Sequence, residues 1–191
     1  MRLIILGPPG AGKGTQAEHI SQRRGIPHIS TGDIFRDNIR RETELGSKVK
    51  SILASGGYVP DEITNEIVAD RLAQDDAQDG FLLDGYPRTV AQVEALDTLL
   101  DGWGHPLQAV IELQVEEQEL VSRILKRAET SGRSDDTEEV IRERLRIYRE
   151  ETEPLVRIYS ERNLVIEIDG VGELDEVTDR ITAALDALTP A

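Results

Sequence analysis

Apolar and polar positions alternate between two textures along the chain. Short apolar runs, Leu3–Leu6, Pro27–Ser30, Phe81–Asp84, Gln108–Leu113 and Leu164–Ile168, are separated by longer segments that mix apolar and charged residues at helical spacing. A short run with little polar alternation fits a strand buried on both faces. Five such strands alternating with helices predict an α/β chain, a five-stranded parallel sheet with helices on both faces.

The helical segments carry recognisable starts. Thr15–Arg24 follows the first strand, and Ser30 and Asp33 have capping-box spacing for a second helix. Asp61 is placed to cap Glu62–Gln74, and Thr89-Val90-Ala91-Gln92 has the same box spacing, which reads Gln92 as a cap. Leu120–Lys126 sets Arg123 and Arg127 one turn apart on one face. Asp136 and Glu139 have near capping-box spacing at the next helix, Thr137 to about Glu153, so Asp135 and Asp136 read as its start. At about 100° per residue, Ile141, Leu145, Tyr148, Thr152, Leu155 and Tyr159 form one stripe if that helix runs past Pro154. Arg142, Arg146 and Arg149 flank the stripe on one side and read as solvated partners of Glu138, Glu150 or Glu153. Arg144 stands alone on the other side and is the one candidate for a site. Leu174–Leu188 closes the chain as an amphipathic helix. Thr31–Pro60 and Ala128–Asp136 look like inserts.

The first strand runs into Gly7-Pro8-Pro9-Gly10-Ala11-Gly12-Lys13-Gly14-Thr15. Strand, glycine loop and helix in that order make a phosphate-binding loop, in which backbone N–H groups and the helix N-terminus form a concave anion site. Lys13 adds a full charge where terminal phosphates would lie. Gly7, Gly12 and Lys13 fit G-x-x-x-x-G-K-[ST], but Gly14 takes the last position and the hydroxyl comes one residue later, at Thr15. Phe81–Asp84 ends in a carboxylate. In an open parallel sheet ligands sit outside the carboxyl ends of the strands, so Asp84 and the glycine loop share one edge, and a water-bridged Mg²⁺ suits such a carboxylate. The loop Asp169-Gly170-Val171-Gly172 reaches the same edge.

At 191 residues the chain is one domain, or one with small inserts. No apolar run approaches the ~18 residues of a membrane span, the N-terminal run is too short for a signal peptide, and there is no cysteine to bridge or to ligate metal. A cytoplasmic protein is expected. The net charge of −15 argues against a nucleic-acid surface and makes arginine clusters more telling, because an anionic substrate must be held against an unfavourable field. Arginine far outnumbers lysine, 18 to 4, which fits a GC-rich genome better than adaptation to salt.

Taken together, GPPGAGKGT, STGD with Arg36, FLLDGYPRT with Gln92, and GRSDD followed by Arg144 resemble the adenylate kinase family, nucleoside-monophosphate kinases on a P-loop NTPase type of fold. Gly14-Thr15 after the lysine is part of that resemblance. It implies a core of 1–29, 61–126 and 137–191, an AMP-binding insert at 30–60 and a short lid at 127–136, without the structural zinc of long-lid members. It further implies that Gly10, Ala11, Gly12, Lys13, Gly14, Thr15, Arg123, Arg127 and Gly172 bind ATP. Thr31, Arg36, Gly57, Val59, Gly85, Arg88, Gln92, Arg133 and Arg144 would bind AMP. Catalysis would rest on Lys13, Arg88, Arg133 and Arg144, with Asp135 and Asp136 at the lid and Asp84 orienting Mg²⁺ through water. The implied reaction converts Mg·ATP and AMP into two ADP without a covalent intermediate. Its partners are ATP, AMP and ADP, with no nucleic acid, no membrane and a monomer as the working unit. Thr31 and Gln92 favour AMP over UMP or CMP. A kinase for another acceptor and a non-catalytic nucleotide-binding module are the alternatives. His19, His28 and His105 lie in no motif and read as surface or structural.

Overall fold

The computed structural model describes residues 1–131 and 137–188, and for 127–131 the backbone alone. Among these, five parallel strands form one sheet: β1 Arg2–Leu6, β2 His28–Ser30, β3 Phe81–Asp84, β4 Ala109–Gln114 and β5 Val165–Asp169, in the order β2-β3-β1-β4-β5. From β1 the chain crosses to the edge strand β2 and returns to place β3 between them, then adds β4 and β5 on the other side. The crevice at the carboxyl end of β1 is therefore the switch point, where open parallel sheets bind ligands. Register brings Ser30, Ile5 and Asp84 to that edge on one side, and Leu6 and Glu112 on the other.

Nine helices pack around the sheet among the described residues: α1 Lys13–Arg24, α2 Thr31–Arg40, α3 Glu44–Ala54, α4 Asp61–Leu72, α5 Val90–Trp103, α6 Glu117–Ser131, α7 Glu138–Ile147, α8 Glu153–Glu161 and α9 Leu174–Leu188. Period-two alternation sends Leu3 and Ile5 to one face and Ile4 and Leu6 to the other. The first face packs on α1, α6, α7 and α9 through Ile20, Ile124, Ile141 and Ile181. The second packs on α4, α5 and α8 through Leu72, Leu96 and Tyr159. Phe35, Val49 and Val59 form a small third cluster joining α2, α3 and the strap before α4.

The stripe does continue past Pro154, and all six of its residues are buried. A π-helical turn, Tyr148–Thr152, joins α7 to α8, with the Glu153 N–H donating to the Tyr148 carbonyl. The widened turn falls where Pro154 has no N–H to give and its ring would meet the carbonyl four residues back. Ile141 and Leu145 pack on one face of the sheet, Leu155 and Tyr159 on the other, so the segment crosses the sheet's edge at that turn.

Several expectations are corrected. α1 begins at Lys13, not Thr15, because Gly12 already caps it at φ +93° and accepts from the Gln16 N–H. α4 begins at Asp61 with Pro60 in the cap position, so Asp61 is not the cap. α6 runs from Glu117 to Ser131, so 127–131 continue a helix. The cap of α7 is Thr137, whose hydroxyl accepts from the Val140 N–H, and not Asp136. Arg149 pairs with Glu117 of α6, whereas Arg142 pairs with Glu138 and Arg146 with Glu150, as expected. No helix among the described residues is long and apolar enough to cross a membrane.

Candidate active site

The glycine loop between β1 and α1 folds back on itself. Ala11 N–H donates to the Pro8 carbonyl, and Lys13 Nζ donates to the carbonyls of Gly7 (2.7 Å) and Pro8 (3.0 Å). Gly10 has φ +87°, and a Cβ there would stand 2.7 Å from Ile124 Cγ1 and 2.9 Å from the Leu120 carbonyl, so α6 presses directly on the loop. Gly12, Gly14 and Thr15 are exposed on the ligand edge. Asp84 is buried at the end of β3 and faces the loop, its Oδ2 lying 3.5 Å from where a Gly14 Cβ would be. His28, expected to be merely surface or structural, places Nε2 3.5 Å from the same oxygen without hydrogen-bond geometry.

Next to the loop is a cavity. Lys13 lines its mouth; Thr31, Gly32 and Arg36 come from α2, Gly57 and Val59 from the strap, Gly85, Arg88 and Gln92 from the β3–α5 loop and α5, and Arg144 from α7. The Gly85 carbonyl gathers two of them, accepting from Thr31 Oγ1 (2.8 Å) and Arg88 Nε (2.8 Å). Arg36 lies over Gly32 and pairs with Asp33 at 2.6 Å. Arg144 packs its Cγ against Gly56, where a Cβ would come within 2.9 Å. Four cationic side chains thus converge in a chain whose net charge is −15. Such a concentration against the overall field suits a polyanion.

Gln92 is fully buried and serves two neighbours: Oε1 accepts from the Arg88 N–H at 2.7 Å, and Nε2 donates to Asp61 Oδ1 at 2.8 Å. The capping box is therefore half formed. Thr89 Oγ1 accepts from the Gln92 N–H, but the Gln92 side chain reaches back to Arg88 instead of Thr89. An amide has two N–H donors and two acceptor lone pairs, so one of each remains for the cavity.

On the other side of the loop, Arg123 donates from both terminal nitrogens to the Gly170 carbonyl at 3.2 Å, and from one to the Ala11 carbonyl at 3.5 Å. It thereby ties the loop after β5 to the glycine loop. Gly172, two residues beyond Gly170, has φ +133° and packs against Glu176. The Arg127 side chain, Arg133, Asp135 and Asp136 lie outside the described residues.

The adenylate kinase family profile matches residues 5–164. An adenylate kinase of Clavibacter michiganensis is 58% identical over 184 residues, covering 96% of this chain and 92% of that protein. One from Nocardioides is 57% identical over 188 residues, covering 98% of each, and one from Renibacterium salmoninarum is 55% identical over 190. The chain belongs to the adenylate kinase family. Adenylate kinases are phosphotransferases, and the convergence of loop, carboxylate and arginines at one sheet edge is what that chemistry requires.

The family motifs do not cover every residue at the site. Tyr58, Tyr148 and Thr152 also line the cavity. Burial, with Glu112 and Glu153 nearby, pushes the Tyr148 phenol up and keeps it neutral. Tyr148 and Thr152 were legible as members of the stripe, though not as cavity lining. Tyr58 carried no signal beyond its place between Gly57 and Val59.

Proposed function

We propose that this chain transfers a phosphoryl group from ATP to AMP, reversibly and with Mg²⁺, giving two ADP by direct in-line displacement. The observation that carries this reading is the set of Lys13, Arg36, Arg88 and Arg144 around one cavity that opens beside the phosphate loop. One anion is held by the loop and a second by the arginines, with Lys13 between them.

In this reading Gly10–Thr15 cradle the ATP phosphates, and Arg123, Arg127 and Gly172 hold the rest of that nucleotide. Arg36, Arg88, Arg133 and Arg144 clamp the AMP phosphate. Thr31, Gly57, Val59 and Gly85 shape the acceptor pocket, and Gln92 offers its remaining donor and acceptor to the adenine edge. Segment 30–60 is the acceptor insert, 127–136 is a short lid to which Asp135 and Asp136 belong, and the rest is core. The small cluster of Phe35, Val49 and Val59 supports treating the insert as a unit.

Asp84 fits a hard cation, because it is a carboxylate at a strand end facing Gly14, which the exposed Thr15 follows in the chain. With Thr15 it would hold Mg²⁺ through water, and the ion would supply neutralising charge to the ATP phosphates. The AMP phosphate is anionic at neutral pH, so no side chain need take a proton from it. Catalysis is then positioning and charge stabilisation, in which one well-placed donor is worth roughly 2.7–4 kcal/mol. Closure of the insert and lid would keep water from accepting the phosphoryl group. One chain suffices for this chemistry, so the working unit is a monomer.

Product chromatography with ATP, Mg²⁺ and each of AMP, CMP, UMP, GMP or no acceptor tests the reading. Transfer with AMP in strong preference is expected. Transfer to UMP or CMP instead would overturn the acceptor assignment.

A further inference from the structure

Tyr58 stands in the strap between α3 and α4, and its side chain meets Arg88 in the wall of the cavity. The Arg88 guanidinium lies over its ring, 4.9 Å from Cζ to the ring centroid. Its hydroxyl lies 2.8 Å from Thr152 Oγ1, and Thr152 Oγ1 donates to the Arg88 carbonyl at 2.9 Å. A hydroxyl has one proton. Thr152 spends its proton on Arg88, so Tyr58 must be the donor in the first bond. The result is a closed ring of contacts: Tyr58 to Thr152, Thr152 to the Arg88 backbone, and the Arg88 side chain back to Tyr58. Thr152 is buried at the end of the π-helical turn, which fixes its hydroxyl against both partners.

We propose that Tyr58 is a positioning residue for Arg88, a latch that holds the guanidinium in its phosphate-binding orientation and couples the strap to it. The inference rests on Arg88 clamping the acceptor phosphate. Arg88 Nε is already committed to the Gly85 carbonyl, and among the described residues no hydrogen bond holds its two terminal nitrogens. They are the atoms that would meet a phosphate in a bidentate fork. A planar guanidinium resting on an aromatic face keeps its plane fixed, so less freedom is lost when the anion arrives. Packing alone would account for an aromatic residue here. It would not account for a hydroxyl aimed at the same threonine that binds the Arg88 carbonyl.

The test uses the full chain and compares wild type, Tyr58→Leu and Tyr58→Phe, each also in an Arg88→Ala background. Steady-state constants are measured separately for AMP and ATP, with melting temperatures alongside. Tyr58→Leu should raise the KM for AMP by about tenfold, in line with a partly desolvated cation–aromatic contact. The KM for ATP should stay within about twofold, and both effects should vanish once Arg88 is alanine. Tyr58→Phe keeps the ring and should give a smaller rise, about threefold, from the lost hydroxyl bond. Thr152→Val removes both of its bonds and should raise the KM for AMP at least as much as Tyr58→Phe, and Thr152→Ser should restore the wild-type constant. Equal losses for ATP and AMP, or the same loss with and without Arg88, would overturn the inference in favour of a packing role. If Tyr58→Leu does not fold, the Tyr58→Phe and Thr152 variants decide. A wild type that uses AMP well while its Tyr58 variants are unchanged overturns only this inference. A wild type that never uses AMP overturns the functional reading with it.

Discussion

Alanine at Gly10 and alanine at Gly12 should have different effects, although both glycines lie in the same loop at nearly the same φ. Gly10 has φ +87° and Gly12 φ +93°, so either substitution forces an L residue into a sparsely populated region, costing about 1–3 kcal/mol. The surroundings separate them. No atom lies within 4 Å of a Cβ at Gly12, whereas a Cβ at Gly10 meets Ile124 Cγ1 at 2.7 Å and the Leu120 carbonyl at 2.9 Å. Ile124 is fully buried in the core between the sheet and α6, and a backbone carbonyl cannot turn aside. Overpacking of that kind adds about 1–3 kcal/mol. The difference between the two variants should then be about 2 kcal/mol, or roughly 4–8 °C in melting temperature for a chain of this length. Thermal and urea unfolding would be measured together with ATP affinity, because the loop can relieve the clash by moving away from α6. Gly10→Ala should therefore lose stability, ATP affinity or both, and should melt below Gly12→Ala. Equal behaviour of the two variants, or a Gly10→Ala protein with wild-type melting and ATP affinity, would refute the claim that α6 presses on the phosphate loop.

Other outcomes follow from the same geometry. Lys13→Ala should lower turnover by about 10²–10³-fold while shifting melting only slightly, since its bonds to the Gly7 and Pro8 carbonyls are partly exposed; wild-type turnover would remove Lys13 from the chemistry. Gln92→Ala leaves the Arg88 N–H without its partner, so stability should fall by about 1–3 kcal/mol and AMP use should weaken more than ATP affinity. An unchanged melting temperature would contradict the structural half of that reading. Glu112 is half-buried, and burial first, then Glu167 and Glu153, raise its pKa above the ordinary 4.5. A carboxyl raised in the folded state binds its proton more tightly there than when unfolded, so it costs stability as pH rises from about 4.5 through the raised value. Glu112→Gln should accordingly gain stability over wild type at pH 7 and lose that gain at pH 4, and a gain independent of pH would contradict the assignment.

Much of the fold could be read from periodicity because burial on two faces leaves a clear mark. β3 was legible to the residue, and α9 ended where its amphipathic pattern ended. β4 and β5 run one residue beyond their apolar stretch because the polar Gln114 and Asp169 still pair across the sheet. The stripe from Ile141 to Tyr159 survived Pro154 because a π-helical turn absorbed the proline, and Arg144, which it set apart, lines the cavity. Polar helix ends were less legible. α6 begins among Glu116, Glu117 and Glu119, charges that resemble a loop yet suit a helix N-terminus. Long-range contacts carried no local signal at all. Asp61 reads as a cap, but its carboxylate is claimed by Gln92, 31 positions away. His28 reaches Asp84 only because β2 and β3 are neighbours. Tyr58 and Thr152 meet across 94 positions. The glycine loop and arginines were visible because the proposed chemistry demands particular residue types, whereas the side chains that contact them are set by tertiary placement.

The cavity and the phosphate loop are proposed to hold two nucleotides for direct exchange between them. Phosphorus NMR of the purified protein with Mg²⁺ and ADP alone tests it most directly. ATP and AMP should appear in equal amounts, with no inorganic phosphate. AMP and inorganic phosphate accumulating without ATP would contradict it, because water and not a second nucleotide would then be receiving the phosphoryl group.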